Sequence, residues 1–101
     1  MFIRVWEYDV PEDRADRFIA AYGPSGDWAR LFARGSGFAR TELFLSTQVA
    51  TRFVSIDWWR SEAAWQAFRE SWGEAYSKLD ATLQPVAAGG KLLAEGQAET
   101  G

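Results

Sequence analysis

Residues 53–68, FVSIDWWRSEAAWQAF, join a predicted β-strand to a predicted α-helix and decide the fold. The stretch up to Trp59 is rich in β-branched and aromatic residues, which favour strands. Ser61 then supplies a good N-cap, and Trp65 and Phe68 begin an apolar stripe with helical spacing. The sequence therefore predicts a strand that leads directly into a long amphipathic helix.

The neighbouring segments predict the remaining elements by the same reasoning. Predicted strands cover residues 2–10, 38–45, 52–59 and 86–94, and predicted helices cover 12–22, 27 to about 35, and 61–84. We expect Gly73 to mark a kink in the last helix or a break into two helices, and Pro85 to end it. This β-α-β-β-α-β order, with one extra short helix, predicts an α+β ferredoxin-like fold with a four-stranded antiparallel sheet. We expect one domain over residues 1–94 and an unpacked tail over 95–101.

Composition excludes several classes of protein. The chain has 101 residues, 48% of them hydrophobic, which suits one buried core and is too short for two domains. It contains no cysteine and no histidine, which excludes disulfides, thiolate nucleophiles, histidine triads and the usual zinc sites, so we expect no metal. A net charge of −3 with scattered basic residues argues against a nucleic-acid partner. No apolar run reaches the roughly 18 residues of a membrane helix, and the N-terminus is unlike a signal peptide, so we expect a cytoplasmic protein without a membrane partner.

One face of the predicted sheet has no cover within the chain. The helices of this fold can cover only one face of the sheet. In a chain this apolar, the other face needs a partner. We therefore expect a homodimer in which two sheets pack face to face.

Pairing Phe44 with Phe53 in the predicted hairpin sorts the strand residues onto two faces, one of them mostly aliphatic. The other face mixes aromatic residues with Arg4, Arg40, Glu42 and Asp57. Because lone charges are costly to bury, these four either form an ion-pair network across a dimer or face a wet cavity, and both interpretations stay open. A carboxylate buried beside aromatic rings can have a raised pKa and act as a general base, so Asp57 and Glu42 are the candidate catalytic residues.

Six Trp, three Tyr and seven Phe either fill a small core or line an aromatic ligand pocket. Trp28 follows the turn GPSG on a short helix that can act as a lid. The candidate substrate-binding residues are Trp6, Tyr22, Trp28, Trp59, Tyr76 and Arg4. The helix charges interpreted as a solvated face are Arg69, Glu70, Glu74, Lys78 and Asp80.

Three segments resemble the antibiotic biosynthesis monooxygenase family. They are FIRVWEYDVPEDRADRFIAAYG at 2–23, GSGF at 35–38 before TELF at 41–44, and the stretch at 53–68. The resemblance extends from residue 2 to about residue 93. It implies a dimeric α/β barrel of ferredoxin-like protomers, and the option of oxygenating an aromatic or polyketide-like small molecule without flavin, haem or metal. In such a reaction an enclosed base forms a phenolate or enolate, which itself supplies the electrons to dioxygen.

The sequence departs from the family pattern in two residue types. The haem-degrading branch holds iron with a histidine and other branches use an asparagine, and this chain contains neither residue. The resemblance therefore implies no haem or other cofactor. The alternative function is a non-catalytic small-molecule-binding or accessory dimer. A cavity between sheet and helices with Asp57 or Glu42 in its wall would favour the enzyme.

Overall fold

A computed structural model describes residues 1–87 and 90–99 of the chain. Its elements are β1 (Phe2–Asp9), a 3-10 turn (Glu12–Arg14), α1 (Ala15–Tyr22), α2 (Asp27–Phe32), β2 (Phe38–Leu45), β3 (Arg52–Trp59), α3 (Glu62–Ala87) and β4 (Lys91–Gln97). The four strands form one sheet in the order β2-β3-β1-β4, and each neighbouring pair is antiparallel. The predicted α+β ferredoxin-like fold is confirmed.

The central strands β1 and β3 turn one alternating set of side chains towards the helices. Arg4 lies opposite Asp57 in this set. Phe53 belongs to the same set, and its ring centroid lies 4.9 Å from that of Phe18 in α1. The mixed aromatic and charged face is therefore the covered face of the sheet, and the aliphatic set of β1 and β3 lies on the open face.

The predicted register of β2 is wrong by one residue. Leu45, rather than Phe44, lies opposite Phe53. The hairpin loop sets this pairing, because the Ser46 N–H donates a 2.8 Å hydrogen bond to the Arg52 carbonyl. The Ser46 hydroxyl also accepts two backbone N–H groups of the loop, which is typical of a serine turn. A slip of one residue moves each side chain of the strand to the other face.

The corrected register exchanges the two sets of β2 side chains. Thr41 lies on the covered face, whereas Arg40, Glu42 and Phe44 lie on the open face. Phe38 still reaches the core, because the register shifts between Phe38 and Arg40. Such a β-bulge adds one residue to a strand and restores the orientation on its far side.

The last helix begins as predicted. The Ala64 N–H donates a 3.1 Å hydrogen bond to the Ser61 hydroxyl, which confirms Ser61 as the N-cap. The helix bends at Trp72, where φ is −121° and ψ is 18°, immediately before the predicted bend at Gly73. Neither α3 nor any other described helix is both long and apolar enough to cross a membrane.

The C-terminal end of α3 differs from the prediction. Pro85 lies inside the final turn instead of ending the helix. A proline there removes one hydrogen-bond donor, while the buried side chain of Val86 still packs on the core.

The last strand is displaced as a result. It spans Lys91–Gln97 rather than 86–94, and residues 88 and 89 of the prediction lie outside the described residues. Because β4 pairs with β1 as far as Gln97, the first three residues of the predicted tail belong to the sheet, which corrects the boundary at residue 94. Residues 100 and 101 of that tail also lie outside the described part of the chain.

A cluster of aromatic rings forms the centre of the core where β3 meets α3. Trp59 is fully buried, and the rings of Phe32, Trp65 and Phe68 lie within 5.4 Å of it, measured between centroids. Large aromatic rings bury about 150–250 Å² each and dominate the energetics of small cores. The strand-to-helix junction is therefore anchored by its own side chains.

We predict that Gly37→Ala lowers the free energy of unfolding by about 1–3 kcal/mol through overpacking. Gly37 is buried against α3, and a Cβ there would lie 2.3 Å from the Cβ of Ala64. Urea denaturation measures the loss. Adding Ala64→Gly removes the clash, so the double variant should be more stable than the sum of the two single changes indicates. Gly73→Ala is the matched control, because open space surrounds that position. Simple additivity of the two changes would contradict the contact.

Candidate functional site

A cavity of about 250 Å³ lies between the covered face of the sheet and the helices. The central strands supply Arg4, Tyr8 and Asp57 to its wall, and the helices supply aromatic residues such as Trp28 and Tyr76. Polar groups thus lie on the sheet side of the cavity, and rings enclose it from the helix side.

Four polar residues cross the covered face as a row, one from each strand. In strand order these residues, which we call the polar row, are Thr41, Asp57, Arg4 and Glu95. Directly opposite residues of antiparallel strands have Cβ atoms about 4.5–5.5 Å apart, so each member can contact the next. The first three members line the cavity.

Asp57 is the buried carboxylate of the polar row. Its Oδ1 atom accepts a 2.7 Å hydrogen bond from the hydroxyl of Thr41, which is also buried. Burial raises the pKa of Asp57 to about 6, and the Thr41 hydrogen bond and the positive charge of Arg4 oppose the rise without cancelling it. The carboxylate can therefore gain or lose a proton near neutral pH, which is the behaviour expected of a general base.

Arg4 pairs with Glu95 rather than with Asp57 in this row. Its Nε donates a 2.9 Å hydrogen bond to the Glu95 carboxylate, and its guanidinium carbon lies 4.1 Å from the ring centroid of Trp65 and 5.5 Å from that of Trp6. Stacking on aromatic faces and a carboxylate partner both favour a buried guanidinium. The side chain is thus held at the β4 side of the cavity.

Three tyrosines and a tryptophan form a continuous aromatic wall. Ring centroids lie 5.0 Å apart for Tyr8 and Tyr22, 6.2 Å for Tyr22 and Trp28, and 4.9 Å for Trp28 and Tyr76. Burial raises the pKa of both Tyr8 and Tyr22. Their hydroxyls therefore stay protonated at neutral pH and can donate hydrogen bonds to a ligand.

The indole N–H of Trp28 is a buried donor in the cavity wall without a hydrogen-bond partner among the described residues. The Trp28 indole opposes the rise in the Tyr22 pKa that burial causes, although the two groups are not in hydrogen-bonding geometry. Buried polar groups of proteins are normally paired, so this donor indicates a position where a ligand oxygen would be stabilised.

The mouth of the cavity lies beside the C-terminal half of α3. Asp80, Gln84 and Gly90 border it and are exposed. The interpretation of Asp80 as part of a purely solvated face is therefore incomplete, because its carboxylate also adds to the raised pKa of Tyr22 after the larger effect of burial.

The cavity brings together six of the eight predicted site residues. They are Arg4, Trp6, Tyr22, Trp28, Asp57 and Tyr76. Glu42 lies on the open face, where its carboxylate accepts a hydrogen bond from the indole of Trp58, because of the one-residue change in register. Trp59 is packed beneath the cavity in the core instead of lining it.

Sequence reasoning did not assign Tyr8 and Thr41 to the site. Tyr8 follows Trp6 and Arg4 at the two-residue period of β1, so the pattern already contained its signal. Thr41 became a partner of Asp57 only through the loop geometry that fixes β2.

No described group of three or more aspartate or glutamate residues is placed to hold a metal ion. The cavity wall offers the carboxylates of Asp57 and Asp80, the Arg4 guanidinium, several phenol hydroxyls and the Trp28 indole N–H. Together these groups can bind a planar aromatic molecule and remove a proton from it.

The protein is thus an α+β ferredoxin-like domain with an aromatic cavity, open at one mouth, on the covered face of its sheet. The model of the family called antibiotic biosynthesis monooxygenase matches residues 1–78. The chain belongs to this family, which confirms the resemblance found in the sequence.

Solved structures share the fold at low identity. A mutant of SnoaB, a cofactor-independent oxygenase from Streptomyces nogalater, has a TM-score of 0.70 and 18% identity, with 99% of this chain and 94% of that chain covered. An antibiotic biosynthesis monooxygenase has a TM-score of 0.63 and 14% identity, covering 99% and 100% of the two chains. A mutant of MhuD with two manganese protoporphyrin IX molecules bound per active site has a TM-score of 0.66 and 22% identity, covering 100% and 99%. Among curated proteins, none matches this sequence significantly.

We predict that Asp57→Asn stabilises the protein at neutral pH. The difference between the ordinary pKa of 3.8 and about 6 corresponds to a penalty of roughly 3 kcal/mol for the buried carboxylate. Below about pH 4 the carboxyl is protonated in both the native and the unfolded state, so the penalty vanishes. As pH rises from about 4 to 6 the unfolded carboxyl ionises first, and the wild-type free energy of unfolding falls.

Urea denaturation at pH 4 and pH 7.5 tests this prediction. Asp57→Asn should gain up to about 3 kcal/mol at pH 7.5 and little at pH 4, while Asn keeps an oxygen for the Thr41 hydroxyl. Asp13→Asn is the matched control, because Asp13 is exposed. An equal effect of Asp57→Asn at both pH values would contradict the raised pKa.

Proposed function

We propose that the protein is a cofactor-independent monooxygenase that oxidises a small hydroxylated aromatic or polyketide-like compound in the cavity. The observation that carries the proposal is the position of Asp57, a buried carboxylate with a pKa near neutrality in the wall of an aromatic cavity. Membership of the family supports the same reaction class.

The reaction begins with proton transfer from a ligand hydroxyl to the Asp57 carboxylate. The phenolate that forms is a strong electron donor, and it passes one electron to dioxygen. The resulting radical and superoxide combine at a ring carbon and form a C–O bond. The peroxide anion takes the proton back from Asp57 and becomes a hydroperoxide. The hydroperoxide then loses water, formed from its outer OH group and the ring hydrogen on the same carbon, and the ring becomes a quinone. One oxygen atom stays in the product, the other leaves as water, and the substrate supplies all the electrons.

The enclosure of the cavity serves this chemistry in two ways. Rings on the helix side exclude water, which protects a phenolate and a peroxide from side reactions. The Trp28 indole N–H and the Tyr22 hydroxyl are donors for the ligand oxygens that gain negative charge.

The volume of the cavity limits the size of the ligand. About 250 Å³ lies just below the roughly 300–1,000 Å³ that is usual for ligand pockets. A compound with two fused rings fits this space better than one with four, and its flat faces would lie against Tyr8 and Trp28.

Dihydroxynaphthalenes are the first probes of this function. We expect the protein to consume one dioxygen per quinone formed, with one labelled oxygen in the product when the gas is 18O2. Asp57→Asn should lower the rate by about 10²–10⁴-fold, the usual contribution of a general base, whereas Asp13→Asn should not. An oxygen electrode and the quinone absorbance measure both. Undiminished turnover by Asp57→Asn would exclude the base, and binding without oxygen consumption would favour the non-catalytic alternative.

We further propose that the open face packs against the open face of a second copy. Its residues Ile3, Val5, Val54, Ile56 and Trp58 are only partly buried within the chain, and Phe44 beside them is 51% exposed. Contiguous apolar surface on one side of a sheet is typical of an interface. A cytoplasmic location stays a prediction.

Phe44→Lys tests this dimer. It places a charge on the open face, so the protein should sediment near 11.4 kDa instead of twice that mass. Ile19→Lys is the matched control, because Ile19 is 45% exposed on α1, away from the sheet. A wild-type protein that is monomeric at micromolar concentration would rule out the dimer.

A further inference from the structure

Arg4 lies between two carboxylates in the polar row. Asp57 is its neighbour on β3, and Glu95 is its neighbour on β4. Cross-strand neighbours on one face are within reach of a long side chain, so the guanidinium has two possible partners. In the structure the guanidinium pairs with Glu95, whose carboxylate oxygen lies 2.9 Å from the Arg4 Nε. Among the described residues no ion pair within 4.0 Å joins Arg4 to Asp57.

The position of Arg4 is fixed from several sides. The Glu95 carboxylate accepts from Nε, and the rings of Trp65 and Trp6 lie against the guanidinium. The Arg4 side chain is only 10% exposed, so it cannot satisfy its charge in solvent if one of these partners is lost. Without Glu95, the remaining carboxylate of the polar row within its reach is Asp57.

The partner with which Arg4 pairs affects the pKa of the Asp57 carboxyl. In the observed arrangement the hydrogen-bond donor to Asp57 is the Thr41 hydroxyl, and burial outweighs the more distant charge of Arg4. A guanidinium in direct contact typically lowers the pKa of a carboxyl by about 1–3 units. Asp57 would then be a structural ion-pair partner and a weak base.

The other groups around Asp57 would not replace this effect. From β1, the phenol of Tyr8 is near enough to feel the Asp57 charge, and from β2 the neutral Thr41 donates its hydrogen bond. From α3, Tyr76 and the exposed Asp80 border the same cavity, and Tyr22 and Trp28 from α1 and α2 carry no charge. Arg69 lies over the rings of Trp65 and Tyr76 and outside the cavity wall.

We propose that Glu95 is a positioning residue of the site: by holding Arg4 on the β4 side, it keeps the guanidinium from pairing with Asp57 and leaves that carboxylate free for the ligand. This inference rests on the proposed role of Asp57 as the base. It gives a function to a residue that lies outside the cavity wall and touches no ligand. It also explains why a buried arginine stands beside a buried carboxylate without neutralising it.

Titration of the Asp57 side-chain carboxyl carbon by NMR tests the inference without any substrate. Asp57→Asn identifies the resonance by its loss. In Glu95→Gln we expect Arg4 to turn to Asp57 and the midpoint to fall by about one pH unit or more, a tenfold or larger loss of proton affinity. The Glu95 side chain is 43% exposed, so this variant keeps the fold. Glu70→Gln, an exposed change of the same charge on α3, should leave the midpoint where it is.

A second comparison tests whether Arg4 carries the effect. In an Arg4→Met background, Glu95→Gln should no longer move the Asp57 midpoint. An unchanged midpoint in Glu95→Gln alone, or an equal shift in Glu70→Gln, would overturn the positioning role. Either result leaves the proposed oxygenase intact, because that function depends on turnover by wild type and its loss in Asp57→Asn.

Discussion

The burial of one carboxylate in a central strand is the constraint around which the site is arranged. Asp57 lies on the covered face of β3, where a charge is costly and each neighbour either accommodates the carboxylate or competes for it. Thr41 supplies a hydroxyl from one side, and Arg4 supplies a charge that Glu95 holds at a distance. Carboxylates with perturbed pKa values concentrate at functional sites, which supports the role proposed for Asp57.

The aromatic residues turn this constraint into a cavity. Trp59, Phe32 and Phe68 pack tightly where β3 meets α3 and fix the long helix on the sheet. Tyr8, Trp28 and Tyr76 belong to the aromatic wall of the cavity that contains Asp57. The same residue type thus fills the core at one end of the sheet and encloses the site at the other.

Local patterns predicted much of the fold and six of the residues that line the cavity. The two-residue period of β1 and β3 placed Arg4, Trp6 and Asp57 on one face, and that period survives because both strands are central and regular. The position of Glu42 could not be read in this way, since the register of β2 depends on hydrogen bonds in its loop and on a bulge near Arg40.

The C-terminal end was hard to predict for a related reason. Pro85 normally ends a helix, yet burial of Val86 continues α3 and moves β4 to residues 91–97. The role proposed for Glu95 could not be predicted from the sequence either, because only the pairing of β4 with β1 brings Glu95 to Arg4. A crystal structure with a bound dihydroxynaphthalene tests the central claim most directly. The account predicts a ligand hydroxyl oxygen about 2.6–3.2 Å from the Asp57 carboxylate, with Arg4 still on Glu95. A cavity closed by side chains, with Asp57 paired to Arg4, would contradict it.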